Sequence, residues 1–493
     1  MNSYAITTLG CKVNQYDAQA MATLLRRRGL VPAEATRPVD LLIVNTCCVT
    51  TAAMRKSRQA IRQAVRRSPG AAVLVAGCYT DYDASRISQL LRDLGIQPCR
   101  AVIAGHHTDL ANEVNKAVEA LEATGGPPAP ARPSQPAGEI DAPGNEVFMR
   151  AGSPIDASLS PTFMKTRRKA AVKENVPGTQ RLGPIDRFAG NQRAFVKVQD
   201  GCDAFCSYCV VPYTRCRVWS RSIDDVEAEC RVLVAAGHKE IVLAGVFLGA
   251  FGRRTAIRRR WNGRPAMLEK LLARIAGIEG LWRVRLSSLE PGDVSDELLG
   301  LCRENPTVAP HFHLPLQSGS RRILERMNRQ YTPDQFRRTI GRLRASLDRP
   351  AITTDIIVGF PGETEDDFAK TLAMARHAGF AKIHAFPFSA IEPTAAWTWR
   401  HEAPAPPVVK ERLARLGELE ADLAGAYRQQ FVGQTLEGLV ERARSPHSQT
   451  RQAMTDRYLT VRFGPPADAD LTGQVVTLRI EHATSHDLTG WSS

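Results

Sequence analysis

The sequence predicts an α/β protein with three folded parts: an N-terminal parallel α/β sheet domain, a central (β/α) barrel or an open fraction of one, and a small C-terminal β-barrel. Three observations predict it. Short apolar runs alternate with amphipathic helical stretches from Tyr4 onward, the alternation resumes at Ala194, and after about Phe431 the apolar pattern switches to period two.

Four strand-helix repeats open the chain. Tyr4–Leu9 precedes an expected helix near Asp17–Arg28, and Leu41–Asn45 precedes one near Thr51–Arg67. Ala72–Ala76 then leads to a helix near Ala84–Leu94, and Ala101–Ala104 to a helix from about Asp109. Such alternation sets parallel strands side by side with helices on both faces, and residues 1–123 are assigned to this domain.

Residues 124–190 are expected to be an insert. From Thr124 to Asn145 the chain is rich in Pro, Gly and Ala and nearly free of large apolar residues, so burial cannot repay the entropy of ordering and disorder is expected. Its continuation carries Lys165, Arg167, Arg168, Lys169 and Lys173, which suits a solvated linker or an arm against RNA.

The second series, within residues 191–430, has candidate strands at Ala194–Val198, Glu240–Ala244, Arg283–Ser288, His311–Leu314, Ile352–Val358 and Lys382–Phe388. Helical patterns such as Val226–Ala236, Leu268–Ile275 and Pro333–Leu347 separate them, as a parallel barrel or part of one requires. In residues 431–493, Leu459, Val461 and Phe463 alternate with polar neighbours, as do Val476, Leu478 and Ile480. Several short strands in so small a segment point to a β-barrel.

Lys plus Arg outnumber Asp plus Glu 65 to 51, giving a net charge of +14 over 493 residues. That excess suits a polyanion such as nucleic acid, and it serves solubility equally well. The first residues lack a basic stretch followed by an apolar one, so no export signal and a cytoplasmic location are expected. No apolar run approaches the roughly 20 residues of a bilayer crossing, so no membrane partner is expected, and a monomer is the default.

Eleven cysteines, an odd number in such a chain, argue for metal or redox chemistry over a disulfide framework. Gly201-Cys-Asp-Ala-Phe-Cys-Ser-Tyr-Cys209 spaces Cys202, Cys206 and Cys209 as C-x3-C-x2-C directly after the first barrel strand. Soft thiolates suit zinc or an iron-sulfur centre, but structural zinc usually takes four protein ligands and no fourth lies nearby. Three thiolates on a four-iron cube leave one iron open to a substrate's amino and carboxylate groups. Cys11, Cys47 and Cys78 each follow a strand of the first sheet, so all three lie at its carboxyl edge, where open α/β sheets bind ligands. Three ordinary buried cysteines are the alternative. Cys48 beside Cys47 is expected to point to the opposite side. Cys99, Cys216, Cys230 and Cys302 show no metal spacing.

The C-x3-C-x2-C stretch resembles the radical S-adenosyl-L-methionine (SAM) signature. Thr8-Leu-Gly-Cys-Lys-Val-Asn-Gln-Tyr-Asp17, Asn45-Thr-Cys-Cys-Val-Thr50 and Ala76-Gly-Cys-Tyr79 resemble the methylthiotransferase family. The likeness continues through Gln199–Cys202, Leu286–Pro291, His313–Ser320 and Thr354–Thr364. The stretch after Cys11 most resembles the branch acting on N6-threonylcarbamoyladenosine beside the anticodon of tRNA; the alternatives are a branch acting on isopentenyladenosine or on a ribosomal protein, and a non-catalytic zinc and RNA-binding module.

The resemblance implies two 4Fe-4S clusters, one on Cys202, Cys206 and Cys209 and a second on Cys11, Cys47 and Cys78. The adenine C2 carries a hydrogen that no side-chain base removes at neutral pH, so a radical route is required. By resemblance, the first cluster opens SAM to a radical that takes this hydrogen, the second supplies or carries sulfur, and a second SAM gives the methyl group. A reductant and a sulfur donor are implied partners beside tRNA. Tyr208 is implied near the adenine of SAM. Gly245, Ser288, Glu290, Gln317 and Asp355 fall at or near barrel strand ends, where they serve either SAM contacts or turns and caps.

The tail resembles a TRAM domain, an RNA-holding β-barrel, yet residues 431–493 carry six Arg against seven acidic residues. Arg253, Arg254, Arg258, Arg259, Arg260 and Arg264, with Trp261 among them, are the better electrostatic candidate for RNA, a solvated loop being the alternative. The family pattern is broken at Cys216, at Phe247 and at Ile391–Thr394.

Overall fold

The computed structural model describes residues 2–33, 37–106, 108–123, 182–261, 267–442, 450–464 and 470–492. The Pro-rich stretch, the basic residues Lys165 to Lys173 and Arg264 lie outside the described residues.

The first five strands, β1 (Ser3–Thr8), β2 (Val31–Pro32), β3 (Leu41–Thr46), β4 (Ala72–Gly77) and β5 (Ala101–Ala104), form one parallel sheet in the order β2-β1-β3-β4-β5. Helices α1 (Lys12–Arg27), α2 (Thr51–Arg67), α3 (Cys78–Asp93) and α4 (Leu110–Ala123) cover it. Alternation within the buried strands divides the core into two layers. Leu42, Val44, Val73 and Val75 pack with Met54, Ile61 and Ile87, while Leu41, Ile43 and Leu74 pack with Met21, Leu25, Val114 and Val118. α1 begins earlier than the apolar period suggests, at Lys12, and buried polar Asn14 and Asp17 interrupt the apolar pattern near its start. α3 is two helical segments joined at a kink at Asp83 (φ −153°, ψ 74°), whose Oδ1 accepts from the Arg86 N–H at 2.9 Å, and the second segment is the helix expected near Ala84–Leu94. β2 is two residues long and was not legible in the sequence.

The central part is an open fraction of a barrel. β6 (Arg193–Lys197) leads to a two-stranded ribbon of β7 (Gln199–Asp200) and β8 (Trp219–Ser220). β9 (Glu240–Ala244) and β10 (Arg283–Leu286) pair with β6 in the order β10-β9-β6. β11 (His311–His313), β12 (Ala351–Val358) and β13 (Lys382–Pro387) form a second parallel trio. Bridges at Val284–Val308 and Ser288–His313 join the trios, so the six strands run on as one curved parallel wall. Val284, Leu286, Ile352 and Ile356 turn outward into one core with the covering helices, through residues such as Phe336, Phe368 and Leu416. Two of those helices start at full capping boxes, Thr332 with Gln335 and Thr364 with Asp367.

β14 (Thr435–Val440), β15 (Arg451–Thr455), β16 (Thr460–Phe463), β17 (Val475–Ala483) and β18 (Leu488–Ser492) close into a barrel in the order β14-β15-β16-β18-β17. Its β15–β16 turn docks on the amino ends of the central strands. Arg283 donates to the Met454 carbonyl at 2.8 Å, and Arg285 donates to the Thr455 and Asp456 carbonyls at 3.0 and 2.8 Å. Tyr458 stacks on His311 with ring centroids 4.8 Å apart. Glu240, fully buried, accepts from Arg283 at 2.7 Å and from Arg285 at 3.0 Å. The small barrel thus closes the amino end of the wall and leaves the carboxyl end, where such barrels work, free.

Removing one member of a buried ion network strands the others. Glu240→Ala is expected to cost about 3–5 kcal/mol, because two guanidiniums stay buried without their anion. Urea unfolding read by circular dichroism measures it, and an unaltered midpoint would count against this network as the joint.

Candidate active site

Each cysteine of the first trio sits where a strand hands over to a helix or loop. Cys11 caps α1, Cys47 follows β3, and Cys78 opens α3. Gly10, at φ +101°, lets the β1 end pass so close that a Cβ there would lie 3.0 Å from Cys47 Cβ and 3.1 Å from its sulfur. Ser57 fixes Cys47 from behind, its Oγ accepting from the Cys47 N–H at 3.1 Å and donating to the Cys47 carbonyl at 3.0 Å. Cys48 is fully buried in the layer under α2.

Asn14 ties these ends together. Its Nδ2 donates to the Leu9 and Thr46 carbonyls, both at 2.9 Å, and its own carbonyl accepts from Asn45 at 2.7 Å. Its Oδ1 accepts from Arg215 at 2.8 Å. Arg215 comes from the segment after the second trio and donates to Asp200 Oδ1 and Oδ2 at 2.8 Å each, to Asp17 at 3.2 Å and to the Cys78 sulfur at 3.3 Å. Lys197 pairs with Asp17 as well. Burial alone would raise the Asp200 carboxyl, but Arg215 and then Lys197 hold it well below the carboxylate range.

The loop of the second trio is equally constrained. Gly201 has φ +77°, and a Cβ there would meet the Arg217 carbonyl oxygen at 1.8 Å, so a side chain has no room. Phe205 is left-handed at φ 50°. Asn328 holds it by donating to the Ala204 and Phe205 carbonyls at 3.1 and 2.9 Å. Arg329 donates to the Cys206 sulfur at 3.2 Å and the Tyr208 hydroxyl at 3.4 Å, and it pairs with Glu290 at 2.7 Å.

Within each trio the sulfurs are electrostatic neighbours: Cys47 with Cys78 and Cys11, and Cys202 with Cys206 and Cys209. Cys209 also feels the charge of Cys78, so the two trios lie near one another. Burial pushes Cys202 up and takes Cys47 and Cys209 to about 12, so loading such sites with a cation releases protons. Among the described residues no three cysteine sulfurs lie within 4.8 Å of one another. Three soft thiolates without a fourth protein ligand fit an iron-sulfur cluster with one open iron better than structural zinc, which takes four protein ligands.

Of the residues expected to contact SAM, Tyr208 and Glu290 belong to the Arg329 network. One Glu290 oxygen accepts from Arg329 at 2.7 Å and the other from Arg258 at 3.1 Å. Gly245 packs on Gln199, whose Oε1 would lie 2.9 Å from a Cβ there. Gln317 is left-handed at φ 59°, buried, and has an unpartnered Oε1. Ser288 is exposed, whereas its neighbour Ser287 is buried with an unpartnered hydroxyl. Asp355 lies beside two histidines, His313 and His384. The arginine loop is partly structural. Arg258 pairs with Glu290 and with Asp293 at 2.7 Å, so its charge is neutralised inside the protein, and the Trp261 ring carries Arg253 and Arg258 at 4.6 and 4.8 Å. Arg254, Arg259 and Arg260 are exposed. Asn14, Arg215 and Arg329 carry no metal spacing and were missed in the sequence. Asn14 in Cys-Lys-Val-Asn and Arg215 in Tyr-Thr-Arg-Cys stand close to a cysteine, whereas Arg329 stands near none in the sequence.

An open parallel wall of six strands with a thiolate trio in the loop after its first strand is the arrangement of a radical SAM enzyme. The family model described as "Radical SAM superfamily" matches residues 196–375, and "Uncharacterized protein family UPF0004" matches residues 3–96. The chain is 33% identical to the threonylcarbamoyladenosine tRNA methylthiotransferase MtaB of Chlamydia pneumoniae, over 89% of this chain and 87% of that protein. It is 30% identical to MtaB of Bacillus subtilis, over 97% and 94%. A tRNA-2-methylthio-N(6)-dimethylallyladenosine synthase of Maricaulis maris is 31% identical, over 98% and 96%. The chain belongs to the methylthiotransferase family of radical SAM enzymes, which brings SAM and a 4Fe-4S cluster as cofactors. No described helix is long and apolar enough to cross a membrane.

Arg215→Met is expected to lower stability by about 3–5 kcal/mol, since Asp17 and Asp200 stay buried with less countercharge; thermal unfolding at several pH values reads it. Replacing Arg254, Arg259 and Arg260 by Ala is expected to flatten the dependence of log K for tRNA on log salt by about 0.7–0.9 for each phosphate no longer neutralised. Arg258→Ala is expected to act on folding instead, and a slope untouched by the triple variant would remove the loop from the RNA interface.

Proposed function

We propose that this tRNA methylthiotransferase modifies C2 of N6-threonylcarbamoyladenosine beside the anticodon, with a radical SAM cluster on Cys202, Cys206 and Cys209 and a second 4Fe-4S cluster on Cys11, Cys47 and Cys78. The observation that carries the two-cluster reading is Arg215, from the segment directly after the second trio, donating to the Cys78 sulfur of the first at 3.3 Å. The stretch Lys12-Val-Asn-Gln-Tyr16 after the first cysteine and the two MtaB relatives support the threonylcarbamoyl substrate.

Once bound at the second trio, the cluster supplies the electron that opens the SAM sulfonium. The chain's own part is positioning. Arg329 holds Cys206 and Tyr208 in a fixed relation, and Arg215 and Asn14 hold Cys78 and the end of β1. Reacting groups held in register turn an encounter into an intramolecular step.

Nucleoside mass spectrometry of tRNA from cells lacking the protein, with and without complementation, tests the substrate. Loss of the methylthio-threonylcarbamoyl nucleoside is expected, with its unthiolated parent accumulating. Loss from the dimethylallyl nucleoside instead would replace this substrate. Anaerobically prepared protein should hold about eight iron per chain, falling to about four when Cys11, Cys47 and Cys78 are all Ala. About four in the parent protein would sink the second cluster.

A further inference from the structure

Apart from the cysteine trios, one set of metal-ligating side chains stands out among the described residues. Donor atoms of His313, Asp355 and His384 all lie within 4.8 Å of one another. Strand register creates the group. Asp355 is paired with His384 across β12 and β13, and His313 is paired with Thr353, two positions along β12, so the three side chains rise on one side of the sheet. That side is the concave one, because Ile352 and Ile356 fill the outer core. His313 Nε2 is 3.2 Å from Asp355 Oδ2, and its ring lies 5.9 Å from that of His384.

A plain His–Asp hydrogen bond accounts for two of these residues and leaves His384 without a reason. Among the described residues no hydrogen bond holds His384. We propose that His313, Asp355 and His384 bind one divalent cation of the zinc(II) class through two imidazole nitrogens and one carboxylate oxygen, with a position left open toward the barrel interior. Two neutral nitrogens and one oxygen are the borderline donors such ions take, and three protein ligands with an open place suit a bound water or a carboxylate oxygen of a ligand. Thr353 Oγ1, 3.0 Å from His313 Nδ1, is placed to accept from that nitrogen and so to leave Nε2 free for the ion. The nitrogen and oxygen donors also separate this site from the soft sulfur trios, so zinc and iron-sulfur loading draw on different ligands.

Equilibrium dialysis of the full-length, cluster-loaded protein against zinc(II), followed by zinc K-edge absorption, tests the proposal. The expected result is about one zinc per chain with nitrogen and oxygen neighbours at about 2.0–2.1 Å. His384→Asn and Asp355→Asn should lose that zinc with iron and sulfide content unchanged, which also reports that they fold, and Thr353→Val should weaken it about tenfold. Equal zinc uptake by the parent and both ligand variants overturns the proposal, as does a shell of sulfur at about 2.3 Å.

Discussion

One buried guanidinium organises this molecule. Arg215 is 4% exposed, and it meets Asp200, Asp17, Asn14 and the Cys78 sulfur at once. Taking such a charge out of water costs several kcal/mol, which only near-complete pairing offsets. Asp200 lies on β7, and Asp17, Asn14 and Cys78 lie on the first sheet and its helices, so the pairing is satisfied only when the two α/β units are docked in one relation. The interaction is therefore more a device for registration than a source of net stability. Fixing Cys78 near Cys209 is its consequence.

The same logic recurs at the opposite end of the barrel wall. Glu240 between Arg283 and Arg285, and the carbonyls of the β15–β16 turn that take their remaining donors, lock the small barrel under the strands. Sealing by a neighbouring domain lets the wall remain open-sided without exposing its polar lining at that end. The carboxyl ends stay free for Gln317, Ser287 and the His313 group, whose unpartnered or convergent polar atoms face the interior.

Much was legible in the residue order. The strand-helix alternation, the period-two tail and the C-x3-C-x2-C spacing are local patterns, and local patterns survive in one dimension. What was misread is equally instructive. α1 starts earlier than expected because buried polar residues, Asn14 and Asp17, interrupt the apolar period near its start, where hydrophobic periodicity cannot see them. Arg258 looked like an RNA-facing group because an arginine-rich stretch has the same appearance whether its charges meet phosphates or Glu290 and Asp293.

The sequence alone determined the ligand chemistry and the class of fold, since soft thiolates at C-x3-C-x2-C spacing and strand-helix repeats depend on neighbours a few residues apart. Only the tertiary structure decided which polar residues serve the site. Arg215 lies 137 residues from Cys78 along the chain, and Asp355 and His384 meet through strand pairing, so their partnerships are products of docking and register that no short-range pattern records.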